Sequence, residues 1–173
     1  ELLSLSHFLG FCICLAAIVF IPKLIQAKPG LENFSKYLLI FLLVENQIRS
    51  TYVETLIKGG NLLENMPLHL CDFSAIVIAI FLLTGFRPLF IFAYFWGIAG
   101  AGMSILTPDS EFAFPHYEYF ATMYGHSLIL LAVVFSIVNL GQRPYLKDIP
   151  KLIFYSSILL AIMYGINYVL GAN

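Results

Sequence analysis

Cys71 stands two residues after His69 and directly before Asp72, in the run Pro67-Leu68-His69-Leu70-Cys71-Asp72. A thiol with an imidazole and a carboxylate for neighbours has the parts of a covalent nucleophile: sulfur attacks, histidine takes the proton, and the carboxylate orients the histidine. An early position in a helix and a nearby imidazole would both favour thiolate, whereas Asp72 opposes it by charge. The plain alternative is a small apolar residue, which is how Cys12 and Cys14 read. His116, Tyr119, Met123 and His126 recur at helical spacing as one stripe, and His126 is deep enough in apolar sequence to handle protons. Its bland reading is a buried ring bonded to a backbone carbonyl. Glu45, Arg49 and Tyr52 share a helix face, so carboxylate and guanidinium can pair. That pair is either a self-neutralising device that orders the helices or a clamp for a phosphate or carboxylate.

Six apolar stretches carry these residues: roughly 5–26, 33–58, 67–84, 88–106, 116–140 and 150–171. Each is close to the ~20 residues that cross a bilayer. The expected fold is therefore all-α, a polytopic transmembrane helical bundle forming a single domain over residues 1–173. The turns after stretches one, three and five hold Lys23, Lys28, Lys36, Arg87, Arg143, Lys147 and Lys151, against Lys58 alone after two and four. This asymmetry predicts a multi-pass protein of the cell (plasma) membrane with the start of the first helix extracytoplasmic. His7, Arg49, His69, Cys71, Asp72, His116 and Glu118 then lie towards the outer side, with Glu45 and His126 deeper. Ionisable groups are costly in lipid, so the set predicts a polar pocket near the outer face, with His7, His116 and Glu118 as further substrate-binding candidates. Helical rise sets one condition. Counted from Pro67 and Pro115, Cys71 lies ~6 Å along its helix and His126 ~16 Å along its own, so they meet only if the helices are offset or tilted.

The composition excludes other classes. Hydrophobic residues make up 60% of the 173 and charged ones 11%, far below the ~25% of soluble domains. A formal charge of −1 and no basic stripe give no case for nucleic acid. Three cysteines, at 12, 14 and 71, do not make a disulfide framework. No HExxH or CxxC spacing supports a metal among His69, Asp72, His116, Glu118 and His126, and no cofactor motif appears. The run Gly97-Ile98-Ala99-Gly100-Ala101-Gly102 lacks a complete GxGxxG pattern; its small residues suit close helix packing, as does Gly125. The chain begins at Glu1 without an initiator Met, so preceding residues are expected.

Ser6-His7, Pro67-Leu68-His69-Leu70-Cys71-Asp72, Tyr94-Phe95-Trp96-Gly97, Thr107-Pro108-Asp109, Phe114-Pro115-His116 and His126 occur in an order that resembles the bacterial YwaF family of integral membrane proteins. The resemblance covers most of the chain. It implies kinship with animal polytopic acyltransferases that remodel ether phospholipids through an essential cysteine and histidine. On that footing Cys71 is the nucleophile and His126, or His69, its base. Family members carry a further apolar helix after the region of Asn167-Tyr168, which implies a seventh helix missing from this chain. The leading expectation is an intramembrane acyltransferase or acyl hydrolase whose partner is membrane lipid, with Asp72 or Glu118 orienting the histidine and Arg49 holding an anionic group. The rival is a small-molecule or proton-coupled transporter or binding protein using Glu45, Arg49 and His126. A third reading is an assembly subunit whose polar residues serve packing. Oligomeric state has no signature in the sequence.

Overall fold

The computed structural model describes residues 4–59, 70–108 and 114–170. Six helices account for nearly all of them, with no strand among the described residues. They are α1 (Leu5–Gln26), α2 (Glu32–Tyr52, continued by a π-turn at Val53–Ile57), α3 (Leu70–Thr84), α4 (Arg87–Leu106), α5 (Tyr117–Val138) and α6 (Ile149–Leu170). Local chemistry sets the ends. Ser4 caps α1 by accepting from the His7 backbone N–H, and His116 caps α5 by accepting from Glu118 N–H. Gly85 and Gly141 turn the chain at φ +70° and +66°, a left-handed conformation that a side chain would oppose. Pro150 falls in the first turn of its helix, where a missing N–H costs nothing, whereas Pro115 lies just ahead of α5.

By length and composition α1, α4, α5 and α6 can each cross a membrane. α3 is shorter, and α2 matches the others in length but carries Glu45 and Arg49 in its second half. Neighbours run up and down. His7 at the start of α1 bonds the Leu106 carbonyl at the end of α4, while Gln26 at the far end of α1 donates to the Val138 carbonyl of α5. Lys23, Arg87, Arg143 and Asp148 therefore gather at one end of the bundle, and Lys58 and Glu118 at the other.

α5 is the hub and packs against α1, α2, α3 and α4. Its inner side, including Leu128, Ile129, Ala132, Val133 and Phe135, joins Leu39, Leu43, Ile78, Phe81 and Phe90 in the main core. A second cluster of Ile18, Ile105, Tyr119 and Met123 seals α1 and α4 onto the other side of α5. Between helices in lipid, close fit rather than water exclusion supplies the attraction, and small residues permit it. A Cβ on Gly97 would sit 3.1 Å from Ile129 Cγ2, and one on Gly10 would sit 2.7 Å from the Tyr119 hydroxyl. Outward faces are apolar and exposed, as Phe8, Ile13, Phe20 and Leu24 of α1 illustrate, which suits contact with lipid chains.

α4 is not a uniform helix. Its ladder widens to a π-turn over Gly97–Ala101, and such turns concentrate at functional sites. α6 stands apart. Of its described side chains only Met163 is buried, and it meets α4 through its first turns. There Arg87 grips Asp148 with two parallel bonds of 3.1 and 2.8 Å, Tyr155 sets its ring edge-on to Phe92, and the Trp96 indole N–H donates to Ser156 at 3.1 Å.

Candidate functional site

α2, α3 and α5 enclose a cavity of about 310 Å³. Each helix contributes one face. α2 gives Asn46, Gln47, Arg49, Ser50 and Val53; α3 gives Cys71, Asp72 and Ala75; α5 gives the stripe Glu118, Ala121, Thr122, Gly125, His126 and Ile129. From Tyr117 to Ile129 the slot extends ~18 Å along α5 at 1.5 Å per residue. Lys58, Tyr117 and Glu118 mark its surface end. Cys71 and His126 line the same space although their positions within their helices differ.

Cys71 is half-buried, with Ser104 and the Asp72 carboxylate as its polar neighbours. Across from it the π-turn of α4 presents bare backbone at Gly100, where a Cβ would lie 3.1 Å from the Cys71 sulfur. His126 is tied at one nitrogen. Its Nδ1 lies 2.8 Å from the Thr122 carbonyl, which has no hydrogen to offer, so Nδ1 carries the proton and donates. In the neutral ring Nε2 then holds a free lone pair. Asp72 is an electrostatic neighbour of His126 as well as of Cys71, and its Oδ1 accepts from Gln47 Nε2 at 3.1 Å.

Arg49 crosses the slot and is held on several sides. Nε lies 3.3 Å from Glu45, one terminal nitrogen donates to Asn46 Oδ1 at 2.6 Å, and the other donates to the Tyr117 hydroxyl. The guanidinium also lies 5.9 Å from the ring centres of Tyr117 and Tyr124. Among the described residues these contacts engage three of its five N–H groups. Asn46 in turn rests on the bare backbone of Gly125, where a Cβ would come within 2.9 Å of its amide nitrogen. At the surface end Lys58 and Glu118 form an ion pair of 2.6 Å.

The structure thus brings Cys71, Asp72, His126, Arg49 and Glu118 around one space. Glu45 does not line it and bears on it through Arg49. His116 stands beside it as the cap of α5. His7 belongs elsewhere, buried between α1, α4 and α5: its Nε2 donates to Leu106 O at 3.1 Å, so its Nδ1 accepts from the Tyr119 hydroxyl at 3.3 Å. Tyr119 and Met123 face that junction too, so the stripe expected to unite them with His126 divides between two faces. His69 lies outside the described residues. Asn46, Gln47, Thr122 and Tyr117 were not singled out by sequence; uncharged amides and hydroxyls inside an apolar segment were the available signal. Among the described residues no three of His, Cys, Asp and Glu converge as metal ligands would.

No curated protein and no solved structure gives a significant match to the chain. The family model of the TMEM164 family matches residues 2–173. With its apolar helices, this makes the chain a multi-pass membrane protein that belongs to the TMEM164 family.

Proposed function

We propose that the slot between α2, α3 and α5 is an acyl-transfer site acting on membrane phospholipid, the reading that the resemblance to YwaF proteins and their animal relatives implies. One observation carries it: Cys71 and His126 line a common cavity, and the Thr122 carbonyl holds the imidazole in the tautomer that accepts at Nε2. Nε2 takes the thiol proton as Cys71 Sγ attacks the ester carbonyl. The tetrahedral adduct collapses, its C–O bond breaks, and the departing lipid oxygen receives the proton from Nε2. The acyl group remains on sulfur as a thioester. An acceptor hydroxyl or water then attacks the thioester, gives its proton to Nε2, and releases the thiolate, which is reprotonated by the imidazolium. Asp72 is the charged neighbour of the imidazolium once it forms, and the N–H groups of Arg49 that its described partners leave over bind the lipid phosphate. The surface end of the slot faces out of the cell, as the lysine and arginine distribution directs.

The test is a thioester trap. Full-length protein in nanodiscs is given labelled phospholipid, and peptide mass analysis seeks hydroxylamine-sensitive acyl on Cys71. The expected adduct disappears in Cys71→Ser and falls at least a hundredfold in His126→Ala, the lower range for a general base. Absence of acylation across several lipid classes, in protein that keeps its thermal transition, rejects acyl transfer in favour of binding or transport through Glu45, Arg49 and His126.

A further inference from the structure

A second cavity, of about 420 Å³, lies at the opposite end of the bundle between α4 and α6. Its walls are apolar, formed by Leu89, Ile91, Phe92, Leu152 and Tyr155. Its rim is charged, with Arg87, Asp148 and Lys151. Arg87 and Asp148 satisfy one another through their paired bonds, and Arg87 also donates to the Arg143 carbonyl at 3.0 Å. Lys151 is exposed and has no ion-pair partner among the described residues. The rim therefore presents one uncompensated positive charge above an apolar cleft that opens beside a helix standing away from the bundle.

We infer that this cleft is a binding site for an anionic glycerophospholipid, with one acyl chain between α4 and α6 and the head-group phosphate on Lys151. A bilayer lipid fits both chemistries at once. Its chain is matched to walls that are hydrocarbon apart from the Tyr155 hydroxyl, and its head group lies at the depth where the Arg87–Asp148 pair marks the end of the apolar span. Basic rims between membrane helices recognise anionic head groups in this way. A zwitterionic lipid would fill the same walls but brings its own cation to Lys151, so charge selects between them. The site is separate from the Cys71 slot and stands whether or not that slot transfers acyl groups.

The chain carries a single tryptophan, and it reports on this contact: Trp96 bonds Ser156 across the α4–α6 seam, and its ring lies 4.9 Å from that of Phe92 in the cavity wall. The full-length protein, with any tryptophan outside these 173 residues replaced by phenylalanine, is placed in bilayers containing phosphatidylglycerol and phosphatidylcholine, with bromine on the acyl chains of one lipid at a time. Quenching of Trp96 then measures which lipid occupies the cleft. The expected result is about fivefold preference for the anionic lipid, the worth of one lysine at a charged membrane surface. Lys151→Gln removes the preference: quenching by brominated phosphatidylglycerol falls and quenching by brominated phosphatidylcholine rises until the two are equal. Lys147→Gln, whose cation lies over Tyr145 instead of the cleft, keeps it. Equal quenching by both lipids in the unmutated protein overturns the site. Equal loss in the two lysine variants also overturns it, because the preference would then belong to the surface charge as a whole.

Discussion

Replacing Gly100 by alanine separates the geometry of the Cys71 site from the stability of the helix that shapes it. The added Cβ meets one atom within 4 Å, the Cys71 sulfur at 3.1 Å. Comfortable non-bonded contacts lie near ~3.5–4.0 Å, so the sulfur must retreat by roughly 0.5 Å. The backbone gains from the same change, since alanine exceeds glycine by ~0.5–1 kcal/mol in a helix interior. Contact strain and backbone gain are of similar size, and the thermal transition should move little. Reactivity responds differently. A misplacement of 1 Å at reacting atoms costs on the order of 100-fold, so half that displacement costs roughly tenfold. Gly102→Ala is the matched control: it lies one residue past the π-turn, and nothing stands within 4 Å of its Cβ. The assay is the initial rate of Cys71 acylation from labelled phospholipid in nanodiscs, read at the peptide level, beside the melting temperature of each variant. Gly100→Ala should lose about tenfold in rate with Gly102→Ala unchanged. Equal rates in the two variants would show that the π-turn does not set the position of the sulfur, and the reasoning fails.

Two further outcomes follow from packing alone. Gly125→Ala drives a methyl to 2.9 Å from the Asn46 amide and should destabilise the protein by ~1–3 kcal/mol, the usual cost of overpacking. The same change in an Asn46→Ala background should cost far less, and additive losses in thermal unfolding of the double variant would refute a direct clash. Tyr119→Phe removes the hydroxyl that donates to His7 Nδ1 and should cost about 1 kcal/mol in equilibrium unfolding, leaving the acylation rate of Cys71 unchanged because the pair lies outside the slot.

The helices were legible because membrane spans announce themselves by length, apolarity and punctuation. The stretches 5–26 and 88–106 match α1 and α4 to within a residue, and Gly85 and Gly141 stand at turns between apolar stretches. The pair of Glu45 and Arg49 followed from spacing of four residues, which fixes neighbours within a helix. What spacing does not contain is the offset between helices. Cys71 and His126 counted out at different depths, and only the packed arrangement of α3 and α5 brings them to one cavity. The division of the α5 stripe has the same origin: Tyr119 and His126 lie near one another around the helix axis, but the boundary between α1 and the slot falls between them. The π-turn beside Cys71 was likewise invisible, because Gly97, Gly100 and Gly102 read as close packing without revealing that the ladder widens there.

The loose attachment of α6 has a consequence for how the protein is made. Every described residue lining the Cys71 slot falls between 46 and 129, and the buried members of both core clusters all lie at or before Phe135. During synthesis the chain emerges N-terminal end first, and segments consolidate as they appear. The five-helix body, slot included, can thus assemble in the bilayer while α6 is still being translated. α6 then joins a body already assembled, secured by Asp148 on Arg87 and Ser156 on Trp96.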